Sequence, residues 1–266
     1  MRWIAYLVKC LLAGFIAMQV YFAVQIGLWI SLDPSSTAFQ RAERWRLCTW
    51  HWTCSVQSKW TPYDKISNNL KRAVLVSEDD IFFQHKGVRV EDMQKAWEKN
   101  QQQNHKNPQA GAKSKTALRG GSTITQQLAK NLFLSSEQNY FRKGQELIIT
   151  GLLELTLSKQ RLFEIYLNSV EWGEGIFGIG SASAHYYSTT PAALDLDQAA
   201  ALASALPAPK CFDKEQYCRK ANIHFPTRQE FILENMGRIS LVPMSTTLAP
   251  KSATKNSKWS SVLALR

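Results

Sequence analysis

Two acidic residues, Glu78 and Asp79, open the stretch EDDIFFQHKG, in which Phe82 and His85 follow and Gly87 comes last. A carboxylate beside aromatic side chains loses part of its hydration, which raises its proton affinity towards the range that a general base needs. The stretch therefore predicts a proton-abstracting site. The alternative for either acidic residue is a surface carboxylate with no role in chemistry.

A second polar cluster lies in the stretch GGSTITQQLAKNLFL, from Gly120 to Leu134. Helical spacing puts Ser122, Gln126 and Lys130 on one face, with Gln127 beside them, while isoleucine and leucine form an apolar stripe on another face. The glycine pair precedes the helix start, where unpaired backbone N–H groups and the helix dipole favour an anion. We therefore expect an anion-binding helix face. An ordinary helix start at Gly-Gly-Ser, with no ligand, is the alternative.

A basic pair, Arg142 and Lys143, precedes Glu146 by four and three residues in the stretch RKGQE. These spacings put the three side chains on one side of a helix. Two cations around one carboxylate can hold that carboxylate and a phosphate in one electropositive niche. A plain intrahelical ion pair would use the same spacing.

Stretches with helical periodicity must hold these groups in place. Ser67 is a typical N-cap for the helix that leads to Glu78, and Pro207 ends a later helix. Residues 100–119 have no apolar periodicity and predict a long polar loop. The fold class is therefore mostly α with little strand. Besides the helix after Gly121, the predicted helices cover residues 66–83, 88–100, 144–170, 195–206 and 227–240.

An uncharged and mostly apolar run extends from Cys10 to Leu32. As a helix it would be about 34 Å long, which is enough to span a bilayer. A signal peptide, the alternative, would have a shorter apolar region of about 7–15 residues and a small-residue cleavage site. Positive charges flank the run on both sides, so charge counting leaves its orientation open.

The formal net charge of +11 predicts an anionic partner, which could be nucleic acid, a membrane surface or a phosphorylated substrate. The apolar anchor and the absence of any nucleic-acid-binding motif disfavour nucleic acid. Outside the apolar run, four cysteines form two local pairs, Cys48 with Cys54 and Cys211 with Cys218. In an oxidising compartment each pair could close a small loop, and four free thiols are the alternative.

Taken in order, these stretches resemble the peptidoglycan glycosyltransferases of glycosyltransferase family 51, in particular the membrane-anchored monofunctional type. The resemblance rests on EDDIFFQHKG, GGSTITQQLAKN, RKGQE, KQRLFEIYLN and GIFGIGSASAHYY, all within about residues 62–240. It implies a lysozyme-like α-helical domain on the outer face of the cytoplasmic membrane. The chain would then divide into a cytoplasmic stub and transmembrane anchor (1–33), a glycosyltransferase domain (34–243) and a flexible C-terminal tail (244–266).

The reaction that the resemblance implies is the polymerisation of lipid II. The growing glycan, held on undecaprenyl pyrophosphate, is transferred with inversion to the GlcNAc 4-hydroxyl of an incoming lipid II. Glu78 is then expected to be the general base, and Glu146 is expected to be the second catalytic residue, beside the departing pyrophosphate. The residues expected to bind substrate are Asp79, Phe82, His85, Gly121, Ser122, Thr123, Gln126, Gln127, Lys130, Asn131, Arg142 and Lys143.

The resemblance leaves room for Mg²⁺ or Mn²⁺ at Glu146 and implies no organic cofactor. Its expected partners are lipid II, the nascent glycan strand, and transpeptidase, divisome or elongation proteins. A transpeptidase-like S-x-x-K stretch, Ser252–Lys255, lies in the tail without partner motifs, so we expect other proteins to cross-link the strands. Two alternatives stay open: a catalytically weak homologue that binds lipid II or cell-wall synthesis partners, and a lysozyme-like enzyme that cleaves glycan.

Two positions depart from the family pattern. Gln138 stands where the family commonly has an arginine, four residues before the Arg-Lys pair, and this change removes one expected phosphate contact. After the fifth motif the chain reads YYST, Tyr186 to Thr189, where the family usually reads Tyr-Phe-Gly-Lys. Neither departure changes the two glutamates.

Overall fold

The computed structural model describes residues 2–51, 54–89, 122–135, 140–212, 217–218 and 223–241. The predicted helix from residue 90 on, the loop 100–119, the tail 244–266, Gly121 and Gln138 lie outside these ranges. The helices are α1 (Arg2–Leu28), α2 (Ala38–His51), α3 (Asn68–Glu78), α4 (Ile124–Phe133), α5 (Tyr140–Thr156), α6 (Lys159–Ser169), α7 (Ile179–Tyr187), α8 (Leu196–Ala205), α9 (Pro209–Phe212) and α10 (Phe225–Met236).

The described part of the chain is mostly helical, as predicted, with a few short strands. β1 (Gln57–Ser58) pairs in parallel with β3 (Ile176–Phe177), which pairs antiparallel with β2 (Glu171–Gly173). A separate antiparallel pair joins β4 (Tyr217–Cys218) to β5 (Ile223–His224). None of these strands carries a residue of the predicted site, so helices position the chemistry.

Side chains in the sequence cap several helix starts. Ser67 caps α3, as predicted, by accepting a hydrogen bond from the N–H of Leu70 at 3.1 Å. The prediction of Gly-Gly-Ser as the start of α4 was wrong by one residue, because Thr123 is the N-cap. Thr123 and Gln126 form a reciprocal capping box, in which each side chain accepts a hydrogen bond from the other's backbone N–H.

The predicted single helix over residues 144–170 was wrong, because two helices occupy this stretch. α5 ends at Thr156, and Ser158 then caps α6 by accepting a hydrogen bond from the N–H of Arg161 at 3.2 Å. A serine that bonds to the backbone in this way offers an alternative to continuing the helix. The chain therefore changes direction between the Arg-Lys-Glu cluster and the KQRLFEIYLN stretch.

Two groups of helices meet around one apolar core. In the first group, α8 packs against both α3 and α10; in the second, α4 packs against α5 and α6. Leu70, Ala73 and Val74 recur at helical spacing in the sequence, and all three are fully buried on the inner face of α3. The C-terminal end of α3 and the N-terminal half of α4 lie where the two groups meet, which brings the two predicted motifs together.

α1 is the membrane-span candidate. Among the described residues it is the one helix long and apolar enough to cross a membrane, with a mean hydropathy of 1.9 over its best window. Most of its length is exposed on the protein, as lipid contact requires. Its last third packs on α5, with Phe22 and Ile26 buried, as is Trp29 just beyond the helix, and α2 then packs on α4.

Both cysteine pairs form disulfides. The Sγ atoms of Cys48 and Cys54 are 2.01 Å apart, and those of Cys211 and Cys218 are 2.09 Å apart. The first bridge ties the end of α2 to the segment before β1, and the second ties α9 to β4. Of the two alternatives left open by the sequence, the structure therefore has the bridged one.

Candidate active site

Glu78 is the last residue of α3, and three side chains hold its carboxylate. Gln127 Nε2 donates to Oε2 at 2.8 Å, and Arg228 Nη2 donates to Oε1 at 3.3 Å. Ser77 Oγ lies 2.9 Å from the same Oε1 and 2.9 Å from the backbone oxygen of Ala203, so these two acceptors share its one proton. The side chain of Glu78 is 11% exposed. A carboxylate fixed in this way can accept a proton only from a group that approaches through the remaining opening.

A buried tyrosine determines the orientation of the Gln127 amide. Tyr166 of α6 is fully buried, and its hydroxyl donates to Gln127 Oε1 at 3.1 Å. Burial, reinforced by the negative charges of Glu78 and Asp79, raises the pKa of Tyr166 well above its usual value. The phenol therefore stays protonated and donates, which leaves the Gln127 amino group directed at Glu78.

Arg228 is a site residue that sequence reasoning missed. It comes from α10 and donates from Nη2 to the backbone oxygen of Ser77 at 3.0 Å and to Ser77 Oγ at 2.8 Å, as well as to Glu78. Its positive charge thus lies at the C-terminal end of α3, where the helix dipole also favours a cation. It lies 150 residues from Glu78 in sequence, and its spacing gave no signal that it would meet the acidic pair.

The anion at the start of α4 is the protein's own Asp79. Its Oδ2 accepts a hydrogen bond from the backbone N–H of Ile124 at 3.1 Å and lies 2.8 Å from His85 Nε2. A buried carboxylate of the protein itself, 2% exposed, therefore occupies one of the backbone N–H groups at this helix start. Arg89 lies 3.6 Å from the other oxygen of Asp79.

The other residues of the stretch EDDIFFQHKG support the site through internal contacts. His85 Nδ1 accepts from the backbone N–H of Gly87 at 3.1 Å, so the neutral ring carries its proton on Nε2, facing Asp79. Gly87 has φ +82°, and its carbonyl oxygen accepts a hydrogen bond from the Thr123 hydroxyl, which ties the loop to α4. Phe82 is fully buried beneath this loop. Asp79, Phe82 and His85 thus brace the joint between α3 and α4 through internal contacts.

Some residues of the predicted polar face of α4 are buried in the core, and others are accessible at the site. Gln126 is 1% exposed, so it does not share an open face with Lys130, contrary to the helical-spacing prediction. Asn131, which the family resemblance assigned to substrate binding, is also buried, at 7% exposed. Gln126 turns inward because its carbonyl completes the capping box with Thr123. Among the described residues, its Nε2 atom is buried without a hydrogen-bond acceptor. Ser122, Gln127 and Lys130 remain half-buried and accessible.

Glu146 is the centre of the second cluster. Arg142 Nη1 donates to its Oε2 at 3.0 Å, and Lys143 Nζ donates to its Oε1 at 2.5 Å. The carboxylate is 4% exposed, whereas Lys143 is 40% exposed, so the outer side of the cluster is cationic. The intrahelical pairing expected from the spacing is present, and its excess positive charge is what an anionic group would meet.

Lys130 interacts electrostatically with the charged residues of both clusters. Burial lowers the pKa of Lys130, and the charges of Arg142 and Lys143 act in the same direction. Glu146 and Glu78 both oppose this decrease, so the amine lies in the field of both carboxylates. A half-buried lysine between a carboxylate and a cationic cluster is suited to meet the negative charge of a substrate.

The donor set around Glu146 does not form a cation site by itself. Both oxygens of its carboxylate are paired with side-chain cations. In the part of the chain that the structure describes, no group of three or more His, Cys, Asp or Glu residues could hold a metal ion. Mg²⁺ can nevertheless bind through a single carboxylate when substrate phosphates and water supply the remaining oxygens.

Together the two clusters join a held carboxylate to a cationic niche across one face of α4. The first can take a proton from a hydroxyl, and the second can stabilise an anion that leaves. This pairing suits a group transfer in which a nucleophilic hydroxyl displaces a phosphorylated leaving group. The residues that contact Glu78 and Glu146 can each be tested by mutagenesis.

Comparison with known proteins gives consistent matches. A family model described as Transglycosylase matches residues 48–237. A biosynthetic peptidoglycan transglycosylase of Cupriavidus metallidurans is 57% identical over 242 residues, covering 91% of this chain and 99% of the relative. Proteins of the same name from Cupriavidus pinatubonensis and Ralstonia nicotianae are 54% and 50% identical over 242 residues, covering 91% of this chain and 92% and 99% of the relatives.

Proposed function

The chain belongs to the transglycosylase family, and from this premise we propose how its two side-chain clusters divide the work of glycan synthesis. The protein is a peptidoglycan glycosyltransferase that polymerises lipid II into glycan strands. The observation that carries our assignment of roles is the Glu78 carboxylate, held by three donors, beside the helix whose Lys130 lies in the field of the Glu146 cluster.

Glu78 acts as the general base. It accepts the proton of the GlcNAc 4-hydroxyl on the incoming lipid II as that oxygen bonds to the anomeric carbon of the growing chain. Ser77, Gln127 and Arg228 leave the carboxylate no freedom to turn away, which keeps it within reach of one hydroxyl. Attack from the face opposite the pyrophosphate inverts the anomeric configuration.

The cationic side receives the leaving group. As the bond from the anomeric carbon to the pyrophosphate oxygen breaks, its electrons pass to the pyrophosphate, whose negative charge grows. Lys130, Arg142 and Lys143 stabilise that charge, and Glu146 holds the two cations of α5 in position. Gln127 on α4 and Ser122 just before it, both accessible, contact the sugar-pyrophosphate of the donor.

Five further residues of the predicted substrate-binding set support the site through internal contacts. Asp79, His85 and Thr123 connect the end of α3 to the start of α4 and so keep Gln127 against Glu78. In this proposal they are positioning residues, as are the buried Phe82 and Gln126.

In this proposal a divalent cation binds only when the substrate is also bound. Mg²⁺ or Mn²⁺ would use Glu146 as its protein ligand and pyrophosphate oxygens for most of its remaining contacts, and it would neutralise leaving-group charge. Activity measured across a Mg²⁺ titration and in EDTA tests this point: a strict requirement would support a shared site, and full activity in EDTA would refute it.

The protein is a single-pass inner-membrane protein, and we infer that its catalytic domain faces the periplasm. Two disulfides outside the anchor support this orientation, because stable disulfides form in oxidising compartments. Transpeptidases and divisome or elongation proteins are proposed partners, since the strands must be cross-linked. A membrane-impermeant thiol reagent, applied to intact cells after reduction, should label the four bridge cysteines; protection of all four would refute the orientation.

The test of the catalytic assignment uses the full chain in detergent with labelled lipid II, with and without moenomycin. Glu78→Gln should lower the rate of polymer formation on the order of 10²-fold. Asp80→Asn is the matched control, because Asp80 is an exposed neighbouring carboxylate whose 3.2 Å partner is Arg89. Unchanged synthesis by Glu78→Gln would end the assignment. Release of soluble fragments from purified cell wall would instead favour the glycan-cleaving alternative.

A further inference from the structure

The membrane anchor and the helix that carries the cationic cluster are joined by two hydrogen bonds. Gln19 Nε2 of α1 donates to Gln145 Oε1 at 3.2 Å, and Gln145 Nε2 donates back to Gln19 Oε1 at 3.0 Å. Gln145 is 6% exposed and directly precedes Glu146 in α5. The amide pair therefore lies one residue from the carboxylate that organises Arg142 and Lys143.

Aromatic contacts attach the same side of the anchor to α4. The ring of Phe22 lies 4.9 Å from the ring of Phe133, and the ring of Trp29 stacks on Phe133 at 5.1 Å. Phe133 is the last residue of α4, less than one turn after Lys130. The anchor thus touches the two helices that carry the leaving-group side of the site.

A glutamine at position 19 would be energetically unfavourable in an anchor that contacts only lipid. It lies nine residues before the end of α1, about 14 Å along the helix axis. A polar side chain in hydrocarbon is unfavourable unless it finds a partner, and such residues mark functional contacts. The reciprocal amide pair satisfies both side chains and fixes the register of α1 on α5, which apolar packing alone would fix less sharply.

We propose that Gln19 is a positioning residue, so that the membrane anchor forms part of the support of the active site. Through Gln145 it holds α5 so that Glu146, Arg142 and Lys143 face the leaving pyrophosphate. The inference rests on the proposed roles of these three residues. Its physical consequence is that the depth of α1 in the membrane is coupled to the geometry of the cationic cluster.

The activity test compares full-length variants reconstituted in phosphatidylethanolamine/phosphatidylglycerol vesicles with lipid II. Gln19→Leu should lower kcat about threefold to tenfold, the range expected for one interhelical polar contact, with a smaller change in KM. KM changes less because the leaving-group charge develops mainly in the transition state. Gln25→Leu, the same substitution six residues further along α1, is the matched control and should keep wild-type kcat.

A double-mutant cycle separates positioning from general damage. Gln145→Leu alone and the Gln19→Leu/Gln145→Leu double variant should each lose about as much kcat as Gln19→Leu, because all three remove the same pair. Thermal unfolding of each variant controls for loss of fold. Multiplicative losses in the double variant, or a Gln19→Leu kcat equal to that of Gln25→Leu, would overturn the proposal.

A cross-linking test does not depend on turnover. In a Cys10→Ser background, Gln19→Cys/Gln145→Cys in the same vesicles should react with a short bifunctional thiol reagent, and Gln25→Cys/Gln145→Cys should not. If wild-type protein makes no polymer, the proposed function fails while this experiment still decides on the docking of the anchor. No cross-link at Gln19, or an equal yield at Gln25, would refute the inference.

Discussion

Replacing Arg228 tests the site residue that the sequence did not reveal. In Arg228→Met the guanidinium is lost while much of the side-chain length remains, so Glu78 loses one of its three donors and its cation partner. Ser77 Oγ keeps its own bond to Glu78, and Gln127 keeps the other oxygen in place. The carboxylate therefore remains near its position but loses the nearby positive charge.

The magnitude follows from the geometry of the contact. A hydrogen bond to a charged group contributes about 1.5–3 kcal/mol. At 3.3 Å, with Arg228 27% exposed, this one belongs at the lower end. The charge-assisted part of this bond weakens as Glu78 takes up the proton, so what the transition state loses is mainly the positioning of the carboxylate. A loss of about 1.5 kcal/mol in positioning corresponds to about a tenfold fall in kcat.

The assay measures polymer from labelled lipid II, with thermal unfolding measured in parallel. Arg238→Met is the matched control, since Arg238 lies just beyond α10 and bonds to Asn235. Arg228→Lys keeps the charge and should recover part of the rate. An Arg228→Met enzyme within twofold of wild type would refute the proposed link to Glu78.

Two further predictions concern stability, measured by thermal or denaturant unfolding. Ser188 has φ 51°, the left-handed conformation that glycine adopts without strain, so Ser188→Gly should stabilise the fold by about 0.5–1 kcal/mol, and a lower melting temperature would contradict this. Burial raises the pKa of Glu171 to about 7, although Lys210 opposes the shift, so folding becomes less favourable as pH rises from the unfolded value near 4.5 through 7. Glu171→Gln should therefore be about 1–3 kcal/mol more stable than wild type at pH 8 and gain little at pH 5; an equal gain at both values would contradict the assignment.

Local features of the fold were predictable where one residue decides the outcome. Ser67 as a cap and the buried face of α3 followed from side-chain chemistry and helical period. The break between α5 and α6 was missed because the apolar pattern continues through it, and only the capping bond of Ser158 marks the new start. The short strands were also missed, since runs of two or three residues carry no periodicity of their own.

The site shows the same division between local and distant contacts. The Arg142, Lys143 and Glu146 cluster is intrahelical, so spacing alone predicted it. Contacts of Glu78 with Gln127 and Arg228 join residues 49 and 150 positions apart, and no local pattern encodes them. Gln126 was assigned to the open face because period places it there, but the capping box turned it inward.

The adjacent carboxylates of Glu78 and Asp79 have different roles because the helix ends between them. Glu78 is the last residue of α3, whereas Asp79 has φ −161° and ψ 83°, outside the helical region, so the two side chains leave the backbone in different directions. Glu78 meets Gln127, and Asp79 meets the backbone N–H at the start of the same helix, α4. Both acidic residues therefore contact α4, Glu78 through a side chain and Asp79 through a backbone N–H. Asp79 is the anion that the dipole of α4 favours at its N-terminus. Lys130 and the cationic residues of α5 therefore form the niche for a lipid-linked pyrophosphate. The membrane anchor packs against this part of the site.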